Sequence, residues 1–356
     1  MQKWSLKRAL ALFGAWLCLF LPSSAKAGGY GNDACGNPYC CCNPCLCGRF
    51  EIGGEFIWWK PCLDHLEYAV VDFDPSDPEP RRAKYQTLCP DWEPGGRAWI
   101  YSPSLFCGSC GLYASYTGIC SKDSDTTRVD PANQDKRIVI PLAGFEGLDD
   151  FNRVNAHWKV HYHDYDVLFT YVCSCGDCSV FRPFFGFAGL VLDQELFVKG
   201  RELGTQQQVF NGVNVKWNSD LYAYGIRVGT EYECQLADCL SLFGKFAASV
   251  LTGEPDTKNF QKAFLVTTEG RVEERLKVAE NECYRAYPGY HLSAGAIYSN
   301  CLCNVDFSVR IGYEFVEWHN LPHHRRFIDN NPTQGTGSTD RTFGWQGLLA
   351  GASIGF

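Results

Sequence analysis

Methionine is nearly missing from this sequence: Met1 is the only one in 356 residues. Long apolar runs are missing too. Past the N-terminus no segment approaches the run of about 18 apolar residues that would mark a transmembrane helix, so none is expected. Positive charge is in short supply, with 32 Lys and Arg against 40 Asp and Glu for a formal charge of −8. That balance argues against a nucleic-acid partner. Helical periodicity is absent at any useful length except around Arg271–Asn281 (RVEERLKVAEN), which reads as a short loop helix. No Gly-rich phosphate loop, GxSxG elbow or HExxH helix occurs, so nothing argues for an enzyme or a bound cofactor.

The N-terminus is different in kind. Lys3, Lys7 and Arg8 form a basic start, Ala9–Leu21 is apolar, and Ala25-Lys26-Ala27 supplies the small residues that signal peptidase prefers. Residues 1–27 are expected to be a cleaved signal peptide, because the apolar run is too short for a permanent span of about 20 residues. Its removal takes away four basic residues and no acidic one, leaving a mature chain more acidic still. The expected domains are this signal, a cysteine-rich periplasmic segment at 28–49, and one body at 50–356.

Cysteine is abundant, at 20 residues, and taking Cys18 away with the signal leaves an odd number. Such a load suits an oxidising periplasm or cell surface, and the odd count requires a free thiol or an intermolecular link. Aromatics make up 15% of the chain, which fits a strand-rich exported protein.

Period-two alternation runs through the rest. At the C-terminus, Leu348, Ala350, Ala352, Ile354 and Phe356 face one way, and Gly347, Gly351, Ser353 and Gly355 the other, with Leu349 as an exception. A last strand ending on Phe356 is the signal that barrel-assembly machinery reads. Val305, Phe307, Val309, Ile311, Tyr313 and Phe315 alternate with Asp306, Ser308, Arg310, Gly312 and Glu314, as lipid on one side and water on the other would demand. Similar strands are read at 50–59, 98–105, 112–119, 157–172, 180–192, 222–232, 240–250 and 290–298. The fold class is therefore all-β: a transmembrane antiparallel β-barrel of at least ten strands. Its long connections leave room for about 14 to 16. Trp58, Trp59, Trp158, Trp217, Trp318 and Trp345 lie near strand ends, where an aromatic girdle would be.

The cysteines follow the strand map. Cys107 and Cys110, then Cys173, Cys175 and Cys178, then Cys234 and Cys239, then Cys301 and Cys303 fall in short connections, and these clusters recur at nearly even intervals. Counting back from a periplasmic C-terminus puts these turns, and the run Cys35, Cys40, Cys41, Cys42, Cys45 and Cys47, on the periplasmic side. Long polar connections lie opposite. Cys62, Cys89, Cys120 and Cys283 fall in or beside those long loops. A zinc site would want paired knuckles and well-spaced His, and a redox CxxC would open a helix, whereas Leu112–Tyr116 reads as strand. Disulfides, some between molecules, are the better reading, since adjacent Cys40, Cys41 and Cys42 cannot easily all pair locally.

Candidate pore-lining residues are Lys159, His161, His163, Arg227, Glu231, Asp306, Arg310 and Glu314, which would set ion preference as rings of charge do. No metal site is expected. Three functions compete: a porin passing small solutes, an adhesive or structural outer-membrane protein without significant pore activity, and a secreted disulfide-rich β-sandwich that binds a partner.

The stretches FEIGGEFIWWKPCLDHLEYAV (50–70), VFRPFFGFAGLVLDQE (180–195), YGIRVGTEYE (224–233), LFGKFAASVLTGE (242–254), VRIGYEFVEWHN (309–320) and the terminal GLLAGASIGF resemble the major outer membrane proteins of Legionella and of Chlamydia-like amoeba symbionts. That resemblance implies a β-barrel porin in the bacterial outer membrane. It further implies contact with membrane lipid, small solutes as cargo, homo-oligomers, disulfide links to other envelope proteins, and a role at a host-cell surface.

Overall fold

The computed structural model describes residues 50–356 apart from 64–65, 74–81, 108–109, 131–135, 146–150, 175–178, 204–209, 238, 268–269, 280–283, 303–304, 325, 328–334 and 337–340. The signal peptide and Cys35, Cys40, Cys41, Cys42, Cys45, Cys47, Cys175, Cys178, Cys283 and Cys303 lie outside the described residues. In chain order the strands are β1 (Glu51–Leu63), β2 (Glu67–Phe73), β3 (Arg82–Thr87), β4 (Glu93–Cys107), β5 (Cys110–Arg128), β6 (Lys136–Val139), β7 (Phe151–Tyr171), β8 (Cys173–Ser174) and β9 (Ser179–Leu203). They continue with β10 (Phe210–Ala237), β11 (Leu240–Thr267), β12 (Gly270–Ala279), β13 (Arg285–Leu302), β14 (Val305–Leu321), β15 (Arg326–Phe327), β16 (Gly335–Thr336) and β17 (Arg341–Gly355).

Ten of these close into an antiparallel barrel in the order β1-β4-β5-β7-β9-β10-β11-β13-β14-β17, with β17 returning to β1. They are the ten segments whose alternation is readable in the sequence. Closure is sealed at one end by Phe50 and Phe356, whose backbone N–H groups each donate to the other's carbonyl at 3.2 and 3.0 Å. We call that end the terminal rim. The short connections β4–β5, β10–β11 and β13–β14 lie on it too.

The barrel has ten strands, not 14 to 16, because the extra length goes into longer strands. A tilted strand crosses a bilayer in about 9 to 11 residues, whereas β9 has 25 and β10 and β11 have 28 each. These strands carry the sheet well beyond the membrane at the distal end, where β2, β3, β6 and β12 extend it. The segment expected as a loop helix is strand β12, paired with Lys258–Thr267 of β11. That pairing overrides its helix-forming Glu and Arg residues, since strand formation answers to neighbours more than to intrinsic preference. Glu273 adds to it by taking Lys262 at 3.0 Å and Arg275 at 2.7 Å.

Along each long strand the polarity of the two faces exchanges at one level. Near the terminal rim β7 points Asp164 and Asp166 inward and Tyr165 and Val167 outward; distally the same inward parity carries Trp158, Val160 and Tyr162, all buried, while His157 is exposed. β14 changes likewise, from Arg310 and Glu314 inward to Val316 and Trp318 inward. Lipid outside demands an apolar exterior and tolerates charge within; water outside demands the reverse. The exchange therefore marks the membrane boundary.

The distal lumen is a packed aromatic core. Trp59, Trp158, Trp318, Trp345, Tyr162, Tyr287, Phe151 and Phe343 are each less than 2% exposed. Trp345 meets Phe343 at 5.4 Å and Tyr162 at 5.8 Å. Both contacts are edge-on, a favoured arrangement of aromatic quadrupoles. Trp318 Nε1–H donates to the Tyr162 hydroxyl at 3.2 Å. Interior glycines make room for the core: a Cβ on Gly289 would stand 2.3 Å from the Trp318 ring. Above it Ile140, Leu142 and Ala143 are buried, pinned by Gln261, whose Nε2–H donates to the Leu142 carbonyl and whose Oε1 accepts from the Gly144 N–H. The tryptophans expected in a girdle thus fill the lumen, Trp58 excepted. The outer aromatic ring comprises Trp58 with Trp92, Tyr116 with Tyr165, Tyr222, Tyr224 and Tyr290.

Candidate functional site: the charged lumen

Below the aromatic core the inward parity of the strands brings a dense set of charges together. Arg97 on β4 donates through Nη1 to Glu55 of β1 at 2.8 Å, through Nη2 to both oxygens of Glu314 on β14 at 3.0 Å, and through Nε to Thr117 at 2.8 Å. Glu55 also takes Arg310 at 3.2 Å, and Glu314 is in hydrogen-bond contact with His291 of β13. Across the lumen, Arg227 of β10 reaches Asp166 at 2.5 Å, Asp164 at 3.1 Å and Ser249 at 2.8 Å, and lies 5.8 Å from the Trp318 ring. Nearer the terminal rim, Arg182 bridges Glu231 at 2.9 Å and Glu233 at 3.2 Å, and Ser353 donates to Glu51 at 2.5 Å.

A barrel of eight strands is just filled by its side chains, so ten strands need large ones. Arginine supplies both the reach and a fork of donors for carboxylates. The filling is incomplete. A cavity of about 100 Å³ remains, bounded by Glu51, Glu55, Glu231 and Glu314 and by Arg97, Arg182, Arg310 and Lys245. Charges of both signs balance around it.

Of the residues the sequence points to, Arg227, Glu231, Asp306, Arg310 and Glu314 face inward, and Arg227, Glu231, Arg310 and Glu314 join the network. Lys159, His161 and His163 do not, and this corrects the reading of that strand. His163 stacks at 5.9 Å on Tyr116 and shares a 2.8 Å hydrogen bond with its hydroxyl on the outer face, where Tyr116 and Tyr165 are exposed. Period two alone assigns the polar side of β7 to the lumen throughout, but past the membrane boundary the polar side is the wet exterior. Sequence reasoning misses Glu55, Arg97, Asp164, Asp166, Arg182 and Lys245. Each sits at inward parity in a strand otherwise recognised, so continuing the alternation through those strands is the signal that finds them.

Among the cysteines described, the backbones of Cys107, Cys110, Cys173, Cys234, Cys239 and Cys301 stand at strand ends on the terminal rim. Cys110 and Cys239 each take part in a disulfide. Cys120 is an exposed free thiol on β5 and Cys89 another at the distal end.

A closed antiparallel barrel, apolar outside at one level and charged inside at the same level, defines a bacterial outer-membrane β-barrel protein. The chain belongs to the Legionella major outer membrane protein family: the family described as Legionella pneumophila major outer membrane protein precursor matches residues 42–356. No curated protein sequence matches it. Among solved structures it is similar to the outer membrane protease OmpT of Escherichia coli, at 10% identity over 86% of this chain and 96% of that one, with a TM-score of 0.36. It is also similar to a Pseudomonas aeruginosa FadL homologue (10%, covering 87% and 90%, TM-score 0.24) and to the Pseudomonas putida toluene transporter TodX (8%, covering 86% and 89%, TM-score 0.20). All three likenesses are too distant to bear on what this chain does.

Proposed function

We propose that this protein is a structural outer-membrane barrel whose lumen is closed. The observation that carries the reading is the aromatic core, because eight large side chains less than 2% exposed span the distal lumen. Burial this complete, at the density usual in protein interiors, supports a lumen without a continuous water-filled path among the described residues. The terminal rim is assigned to the periplasm, following the asymmetry of short inner turns and long outer connections in such barrels. The rim cysteines apart from Cys110 and Cys239, with Cys173 and Cys234 among them, are assigned to covalent links with neighbouring copies or other envelope proteins, supported by their position at the strand ends. No enzymatic activity is assigned. Planar-bilayer recording tests closure: the purified barrel is expected to give no steady conductance under reducing or oxidising conditions, and a stable open level would overturn it. Non-reducing gels test the links, since migration as monomer alone would remove them.

Passage of small solutes is the second reading. What favours it is the lumenal band of charges beside a cavity, an arrangement that would select ions if the aromatic core moved aside. Removing part of that core separates the two readings.

A further inference from the structure

The pairing of lumenal charges leaves one over. Glu55 is held by Arg97 and Arg310, Glu314 by Arg97 and His291, Glu231 by Arg182, and Glu51 accepts from Ser353. Three of the four carboxylates around the cavity are thus paired with cations, Glu51 holds a serine hydroxyl instead, and three of the four cations are paired with carboxylates. Lys245 is not. It sits directly across from Glu231 in the β10–β11 register, but Glu231 turns to Arg182. The ammonium lies instead 5.4 Å from the Tyr113 ring and 5.5 Å from the Phe184 ring, with no carboxylate in ion-pair contact among the described residues.

Two aromatic faces compensate an ammonium only in part, because a cation–π contact recovers less than an enclosed charge loses when it has no counter-ion. The unmet demand at Lys245 is for negative charge, because Glu51, the one lining carboxylate without a cation, already accepts from the Ser353 hydroxyl whereas the ammonium has no hydrogen-bonding acceptor among the described residues. Arg310 adds to that demand, because it gives one guanidinium nitrogen to Glu55 and has further donors. Space is adequate. One water needs about 10–15 Å³, so the cavity of about 100 Å³ admits a small organic ion with part of its hydration.

We propose that this cavity is a binding site for a small monocarboxylate anion, anchored by Lys245 and oriented by Arg310. The site lies on the rim side of the aromatic core, so it stands whether or not the distal lumen ever opens.

Calorimetric titration of the full-length barrel, refolded in a neutral detergent, tests the proposal with sodium acetate and with tetramethylammonium at constant ionic strength. Acetate is expected to bind saturably at one site and tetramethylammonium not at all. Lys245→Gln is expected to weaken acetate by about tenfold to a hundredfold, the range for a lost bond to a charged group, while Lys245→Arg retains binding. Folding of each variant is read from heat-modifiable gel migration. Should Lys245→Gln not fold, nuclear Overhauser contacts from the acetate methyl to the Tyr113 ring in the unaltered protein decide the matter. The site is refuted by no saturable acetate binding, by preference for tetramethylammonium, by wild-type affinity in folded Lys245→Gln, or by absence of the Tyr113 contacts.

Discussion

Arg227 stands where the charged and aromatic halves of the lumen meet, with Asp164 and Asp166 below it and the Trp318 ring beside it. All three charged groups are buried, so removing the guanidinium leaves two carboxylates enclosed and uncompensated. Arg227→Met is expected to lower stability by about 3–5 kcal/mol, measured by urea-dependent refolding into vesicles. The Arg182 side chain is 22% exposed. Arg182→Met should therefore cost clearly less, because water reaches what remains. Gly289→Ala is a test of close approach. Its Cβ would strike the Trp318 ring, and overpacking of this kind costs about 1–3 kcal/mol. Outside the membrane level, burial and the hydrogen-bonded Asp125 hold the Tyr68 phenol above its usual range. It therefore stays a neutral donor to Asp125 at 2.8 Å through the physiological range.

Strands are where sequence and structure correspond most closely, and where the main correction falls. All ten barrel strands show their alternation in the sequence, because lipid on one face and charge on the other force strict period two. The alternation sets parity but not which medium lies outside. On β7 the same outward parity holds Tyr165 and Val167 at the membrane level and His157, Lys159, His161 and His163 beyond it. The change of polarity at Tyr162–Asp164 is visible in the sequence once both media are allowed for. Substitution on either side of it gives a direct check. Ile311 is 61% exposed on the lipid face of β14, and Ile311→Arg is expected to cost about 2–4 kcal/mol. His161→Arg, beyond the boundary, should stay within about 0.5 kcal/mol. Equal costs at the two positions would put the boundary elsewhere. Strand β12 shows the opposite case, in which local preference for helix loses to an available edge on β11.

For the molecule as a whole, the feature on which the proposed closure rests is the set of tryptophans that the ten strands point inward. Truncating the core should expose this. Trp158→Ala combined with Trp345→Ala is expected to cost about 3–5 kcal/mol for each ring in stability and to give steady single-channel currents where the unaltered barrel gives none. A silent but folded double variant would leave solute passage without support. The sequence by itself determined the ten alternating strands, since alternation is a local property written residue by residue. Strand number, the level at which the faces exchange polarity and the meeting of the aromatic core in the lumen were decided only in three dimensions. They depend on how far strands run past the bilayer and on which inward side chains meet across the barrel. Such neighbours lie far apart in the chain, as Arg97 and Glu314 do at 217 positions, so no local pattern announces them.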